Sequence, residues 1–331
     1  MSYSVYTGVM PKIRNTVKNS AKEMKMDTLQ DIIKLGNMYK KKRLYNFNHK
    51  LLYRIVPVLK KLNRIIGLEE IKKKIVKQIK YILQDFHLLD NDMMHTIIEG
   101  PPGVGKTLLG EILAELYSIV YYDNDKPNFV KVKRSDLVGQ YLGETAIKTQ
   151  EVIDSCYQGV MFIDEAYSLG NPEKRDSFSK ECIDTINRNL SERKSDFICI
   201  IAGYPNQLSS SFFAYNPGLE RRFMFKYTIK DYSSNELYEI FMKKVRDIEW
   251  SVDTEDNDKI KRFFMDNHKS FKYYAGDAEK LLTHIKITHS DRVISLEYEY
   301  KTVIKIEDIE RGYEECFKKE EEESFYKHLF I

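Results

Sequence analysis

The sequence predicts an α/β fold built on a parallel sheet, followed by a helical domain and preceded by a basic helical extension. Three observations carry that expectation. Short apolar runs alternate with amphipathic helical segments between Met93 and Ile229, a Gly/Pro-rich turn closes the first run, and strand patterns nearly vanish after Asp231. With 331 residues the chain is long enough for two or three domains. Its 42% hydrophobic and 31% charged residues exclude low-complexity and collagenous classes. No run approaches the roughly 18 uncharged apolar residues of a membrane span, and Met1 to Lys18 lacks the apolar centre of a secretion signal. An intracellular compartment, cytoplasmic by default, is expected. Cys156, Cys182, Cys199 and Cys316 are too scattered for a disulfide framework or a metal knuckle and read as buried thiols.

The elements follow in order. From Thr28 to Leu62 the pattern is helical, with apolar stripes at Leu29, Ile32, Ile33, Leu35 and at Leu51, Leu52, Ile55, Val58; Pro57 is expected to end or kink the second helix near Val56. After Gly67, Ile71, Ile75, Ile79, Ile82 and Phe86 mark another helix. Met93 to Gly100 reads as a buried strand stopped by a turn. Helices Thr107 to Val120, Thr145 to Tyr157 and Phe178 to Arg193 lead to strands Phe129 to Val132, Val160 to Asp164 and Phe197 to Ala202, with a further strand at Met224 to Ile229. Helices at Asn235 to Asp247, Lys259 to Asn267, Asp277 to Thr288 and Ile306 to Lys318 make the last domain, ending in the acidic run Glu320 to Glu323. The expected division is 1–60, 61–230 and 231–331.

Gly100-Pro101-Pro102-Gly103-Val104-Gly105-Lys106-Thr107 matches G-x-x-x-x-G-K-[ST] with a strand before it and a helix after it. Glycines are needed because the backbone must wrap phosphates in conformations that a Cβ forbids, offering N–H groups at a helix N-terminus. Pro101 through Leu108 is the nucleotide-binding segment, with Lys106 for the β- and γ-phosphates of ATP and Thr107 for Mg²⁺. A chance loop match is the competing reading, and the strand–turn–helix context argues against it. Val160-Met161-Phe162-Ile163 ends in Asp164 and Glu165. Four apolar residues make a central strand whose C-terminal end, where ligands sit in such sheets, presents both carboxylates. Asp164 suits Mg²⁺ and Glu165 suits a general base for the attacking water. A surface turn is the blander reading of this pair, and the preceding phosphate loop weakens it.

At this point the chain resembles the AAA+ ATPases, most closely the CbbX/CfxQ and sporulation protein K-like branch, with members in large DNA viruses. The resemblance runs from about Ile65 to Lys318 through IIGLEEIKKKI, GPPGVGKT, RSDLVGQYLGETAIKT, GVMFIDEAYSLG, FICIIAGY and NPGLERRF. DLVGQYLGETAIKT followed by FIDEAYSL is more diagnostic than the phosphate loop, which many nucleotidases share. The resemblance implies a P-loop NTPase fold: a five-stranded parallel sheet with flanking helices, a C-terminal helical lid and a ring of six subunits. It also implies that Ile66 and Gly67 line the adenine pocket, that Arg222, ahead of Arg221, completes a neighbour's site, and that Tyr141-Leu142-Gly143 is a loop gripping polypeptide in the pore. An always-charged planar guanidinium suits the arginine role. The competing readings are an ordinary surface arginine pair and a Tyr141 packed against the core.

Two positions depart from the family pattern. Strand FICIIAGYPNQ should end in a polar sensor, but Pro205 blurs the register, leaving Asn206 first and Tyr204 second. In the lid, Gly276-Asp277-Ala278-Glu279 puts a carboxylate where a phosphate-sensing arginine is expected, and Lys280 points elsewhere on a helix. His284 and His289 lack convergent partners for a zinc site.

Net charge is +3, yet residues 1–80 carry 20 Lys+Arg against 5 Asp+Glu, and the remainder 33 against 45. Lys40-Lys41-Lys42-Arg43, beside Tyr39, Tyr45 and Phe47, admits a nucleic-acid contact or a nuclear-import signal. A solvated lysine-rich face is favoured over both, because the apolar stripe demands a polar opposite face. The leading expectation is Mg²⁺-dependent ATP hydrolysis by a self-assembling ring acting on a protein client that the sequence leaves unnamed. A nucleotide-gated scaffold with little hydrolysis and a nucleic-acid motor or loader are the alternatives. Rubisco remodelling, known for some relatives, is not transferred, since substrate choice lies outside the shared motifs.

Overall fold

Five strands, β1 (Thr96–Glu99), β2 (Phe129–Val132), β3 (Gly159–Ile163), β4 (Phe197–Gly203) and β5 (Phe225–Thr228), form one parallel sheet in the order β2-β3-β4-β1-β5. This computed structural model describes residues 25–38, 46–89, 92–122, 128–141, 143–171, 173, 176–216 and 218–318. The Lys40–Arg43 run, Leu142 and the Glu320–Glu323 run fall outside the described residues.

Successive strand residues point to opposite faces, so a strand apolar at every position must be covered on both sides. Ile98, Val160, Phe162, Ile198, Ile200 and Ala202 join one core, whereas Ile97, Met161, Ile163, Cys199 and Ile201 join the other. The first core is covered by α1 (Leu29–Asn37), α2 (His49–Asn63), α3 (Glu69–Leu83) and α4 (Lys106–Tyr122). The second is covered by α5 (Arg134–Leu137), α6 (Glu144–Ser155) and α7 (Ser177–Glu192), through Leu137, Ile153, Ile183, Ile186 and Leu190. The N-terminal helices therefore bury Ile32, Leu52, Ile55 and Leu59 in the same apolar cluster as the sheet itself.

Gly110 lets α4 lie directly on β3. A Cβ there would sit 2.3 Å from the ring of Phe162, which is fully buried. We expect Gly110→Ala to destabilise the protein: overpacking costs about 1–3 kcal/mol and outweighs the roughly 1 kcal/mol gained in helix propensity. Urea unfolding of both proteins checks this, and an alanine variant as stable as wild type would contradict it.

Three local expectations are corrected. Pro57 lies inside α2, which continues to Asn63. Pro57 has no N–H to donate to the i−4 carbonyl, that of Tyr53 on the exposed face, while Leu52, Ile55, Val56, Val58, Leu59 and Leu62 are buried and hold the helix together. Phe86 is not on the α3 stripe: the helix ends at Leu83, Asp85 turns left-handed at φ 58°, and Phe86 is exposed. Beyond Tyr313 the expected last helix widens into a π turn, Glu314–Lys318.

After β4 a single turn, α8 (Pro205–Gln207), leads towards β5. The C-terminal helices are α9 (Ser234–Asp247), α10 (Asn257–Asp266), α11 (Ala275–Val293) and α12 (Ile306–Tyr313), around Leu237, Phe241, Phe264, Leu281, Ile285 and Ile309. Ser233 and Glu236 form a reciprocal capping box that starts α9. A two-stranded parallel pair, β6 (Ser251–Val252) with β7 (Val303–Ile304), ties this unit together and was not expected from the sequence, being only two residues long on each side.

Candidate nucleotide site

The turns that carry chemistry follow neighbouring strands. The phosphate loop follows β1, Asp164 and Glu165 follow β3, and Tyr204 follows β4; because β3, β4 and β1 are adjacent and parallel, these turns open at one edge of the sheet. Gly103 and Gly105 are left-handed, at φ 73° and 86°. A Cβ on Gly103 would also lie 1.9 Å from the carbonyl oxygen of Tyr273, so the lid backbone rests on the loop. The Gly105 carbonyl accepts from Leu109 N at 3.0 Å, starting α4 with its first N–H groups turned to the loop.

Lys106 Nζ donates to the carbonyls of Gly100 (3.0 Å) and Pro101 (2.7 Å) and lies 4.6 Å from the centre of the Tyr204 ring. Burial pushes its ammonium below the ordinary lysine range, and the Asp164 and Glu165 carboxylates counter that. Thr107 Oγ1 donates to Asp164 Oδ2 at 2.7 Å, joining residues 57 apart in sequence. This pair is an oxygen-only donor set, and magnesium is usually held by one or two protein ligands plus water and substrate phosphate. The left-handed loop at a helix N-terminus fits a polyphosphate. The residues present therefore fit a Mg²⁺–nucleotide complex.

A cavity of about 680 Å³ opens beside the loop, lined by Ile65, Ile66, Leu108, Ile112, Tyr232 and Ile240. Its apolar walls on three elements suit a flat base. Gly67, left-handed at φ 70°, adjoins it under Tyr232 and Glu236. Tyr232, buried at the start of the lid, donates its hydroxyl to the Val104 carbonyl at 3.0 Å, and its own carbonyl meets His268 Nε2 at 2.8 Å. Burial pushes the Tyr232 hydroxyl up to about 12, so it stays a donor.

Glu279, the carboxylate in the place of the expected arginine, pairs with Lys244 at 2.8 Å, and Lys244 lines the cavity. That bond holds the Glu279 carboxyl below the usual range. The lid thus presents to the cavity a lysine from α9, with the carboxylate of α11 turned onto it rather than onto the nucleotide space.

The remaining expected residues are placed as follows. Asn206 is exposed on α8, while Tyr204 is half-buried at the end of β4 against Lys106. Arg222 is half-buried, donating Nε to Ser191 Oγ at 2.5 Å and Nη1 to the Gly218 carbonyl at 2.7 Å; Arg221 is exposed. Tyr141 is 69% exposed, which disposes of the reading that packs it against the core. Its N–H and that of Gln140 both donate to Glu144 Oε2 at 3.1 Å, and Gly143 is left-handed at φ 86°. Tyr167, Tyr232 and Lys244 were missed from the sequence. Only their tertiary neighbours mark them, although the Tyr in D-E-A-Y stood two residues past Glu165.

Comparison with known proteins places this geometry. The model of the ATPase family associated with various cellular activities (AAA) matches residues 96–227. A putative CfxQ-like protein of Acanthamoeba polyphaga mimivirus is 44% identical over 270 residues, covering 80% of this chain and 66% of the viral one. A CfxQ homologue of Galdieria sulphuraria is 32% identical over 214 residues, covering 62% of this chain and 69% of its own. The crystal structure of the FIGL-1 AAA domain in complex with ADP superposes with a TM-score of 0.55 at 18% identity, covering 76% of this chain and 83% of that one, and so shares the fold. The match to the viral relative spans just under two thirds of that protein's length. A phosphate loop, a carboxylate pair on the next strand but one, and these relatives together show that the chain belongs to the CbbX/CfxQ family of AAA ATPases.

Proposed function

We propose that the chain hydrolyses ATP with Mg²⁺ in a ring of identical subunits and uses the cycle to remodel or thread a protein client. The observation that carries this reading is the convergence of Lys106, Thr107, Asp164 and Glu165 at one sheet edge beside a base-sized apolar cavity. Lys106 leaves its two loop carbonyls for the β- and γ-phosphates, and Thr107 with Asp164 holds the metal. Magnesium, when bound, neutralises charge on the phosphate oxygens. Glu165 orients a water and takes its proton. Arg222 keeps three of its five N–H groups beyond the two bonds it makes to its own chain, and in an assembled ring it faces the site of the next subunit. An exposed aromatic on a glycine-flanked loop gives the sequence-tolerant grip that threading requires, and Tyr141 with Leu142 and Gly143 supplies it. Residues 231–331 act as the lid, whose helices α9 to α12 share a core, 61–230 as the nucleotide domain, and 1–60 as an extension whose helices α1 and α2 pack on it. Among the described residues no helix is long and apolar enough to cross a membrane.

The test is steady-state ATP turnover of the full chain with its mass recorded with and without ATP, then turnover with a reduced, alkylated unfolded polypeptide added. Turnover, ATP-dependent rings of six and stimulation by the polypeptide are expected. Tyr141→Ala should keep basal turnover within about twofold and lose the stimulation. ATP binding without turnover in every condition would overturn hydrolysis, and stimulation unaffected by Tyr141→Ala would overturn the gripping role.

A further inference from the structure

Two lid helices contribute to the wall of the nucleotide cavity. Ile240 and Lys244 of α9 and Ala275 at the start of α11 line it, together with Gly105 of the phosphate loop. Residues four apart share one face of a helix, so Lys244 stands one turn beyond Ile240 and Glu279 one turn beyond Ala275. Lys244 Nζ donates to Glu279 Oε2 at 2.8 Å, which joins the two helices beside the cavity.

The two partners are unequally solvated. The Glu279 side chain is 73% exposed and that of Lys244 27%. A carboxylate in water loses little when its partner leaves, because hydration replaces the bond. The ammonium stands at the cavity wall, where a ligand would take away its water, so it needs an anion within reach of its flexible stem. Two other lysines on the wall differ. Lys61, 55% exposed, bonds both oxygens of Glu115, and Lys243, 51% exposed, bonds Asp247 one turn along its own helix. Both keep water whatever fills the cavity. A nucleotide brings several negative charges between the phosphate loop and the lid, against the single charge of Glu279. With three donors on a rotatable stem, Lys244 can turn from one to the other without moving the backbone.

We propose that Lys244 is a phosphate-binding residue supplied by the lid, and that Glu279 holds its ammonium until a phosphate oxygen of the nucleotide takes it over. The proposal rests on the reading of this cavity as the nucleotide site. When Lys244 turns, a bond between α9 and α11 is exchanged for one between α9 and the nucleotide, and the lid is fastened to what the phosphate loop holds. Release of the nucleotide returns the lysine to Glu279. The carboxylate therefore lowers nucleotide affinity through Lys244, and its effect vanishes when Lys244 is absent.

The experiment is calorimetric titration of the full chain with ADP, with adenosine measured by competition, on wild type, Lys244→Met, Glu279→Gln, the double variant and Lys243→Ala. Thermal unfolding of each protein is the control for folding. Lys244→Met keeps the length of the stem and should weaken ADP binding about 10- to 50-fold, the worth of one hydrogen bond to a charged group less the bond to Glu279. Adenosine affinity should stay within about twofold. Glu279→Gln leaves the lysine in place and should tighten ADP binding about two- to fivefold, with no effect on top of Lys244→Met. Lys243→Ala removes the same charge one residue away and should stay within about twofold. ADP affinity unchanged in Lys244→Met, or weakened as much as that of adenosine, would overturn the phosphate contact. Glu279→Gln decides independently: unchanged or weaker ADP binding, or equal tightening with and without Lys244, would overturn the exchange. Wild type that binds no ADP would instead overturn the nucleotide reading on which the proposal stands.

Discussion

Glu165→Gln should bind ATP as wild type does and turn it over 10²- to 10⁴-fold more slowly, the contribution general-base catalysis makes. The amide keeps the size and the acceptor oxygen of the carboxylate but cannot take a proton from water at neutral pH. Binding is spared because the proposed function assigns the phosphate contacts to other residues, Lys106, the loop backbone and the Thr107–Asp164 pair. Folding is spared because the side chain is exposed and its backbone bond to Asp164 is unchanged. Phosphate release and nucleotide retention measured on the same preparation decide it: slow release with ATP retained is the expected pair. Loss of ATP binding would mean that Glu165 holds the nucleotide, and undiminished release would remove it from the reaction.

Lys106→Ala should weaken ATP binding by about 10²- to 10³-fold. Two charge-assisted hydrogen bonds to phosphate at roughly 1.5–3 kcal/mol each set the scale, reduced because wild-type Lys106 must first give up its bonds to Gly100 and Pro101. Structural damage should be small, as Pro101 is half-buried and its carbonyl reaches water when the lysine is gone. Calorimetric titration with a non-hydrolysable ATP analogue gives the affinity, and thermal unfolding gives the control. Affinity within threefold of wild type would show that the loop backbone alone carries the phosphates. A lysine variant, Lys106→Arg, should recover little, since a planar fork does not fit a pocket shaped for a point charge between two carbonyls and a ring.

The sheet was legible because its strands are apolar at consecutive positions and bounded by turn residues; four strands read from the sequence are present to within a residue at each end, while the first, read from Met93, starts three residues later at Thr96. The phosphate loop and the Asp164–Glu165 pair were legible because their chemistry dictates residue types at fixed spacing along the chain. What escaped depends on contacts between distant segments. Glu279 read as a repulsive substitution because its partner Lys244 is 35 residues away on another helix. Tyr204 ranked behind Asn206 because only the stacking with Tyr167 and the approach of Lys106 show which side chain faces the loop. Pro57 misled because local preference says that a proline stops a helix, whereas burial on the opposite face of α2 outvotes one missing bond on the solvent side.

Tyr232 begins the lid and ends on the phosphate loop, its hydroxyl on Val104 and its lid neighbour Tyr273 resting against Gly103. A lid that rotates must either break the Tyr232 bond or carry the Val104 carbonyl with it, so lid angle and loop shape form a single mechanical coordinate. Reciprocity then fixes the sign in both directions: whatever free energy nucleotide binding spends on setting the lid angle, an external torque on the lid returns as a change in nucleotide affinity. In the ring proposed above, a load placed on a lid by a neighbouring subunit would act as an effector of nucleotide affinity, and the order in which subunits release spent nucleotide would follow from how the ring is pulled.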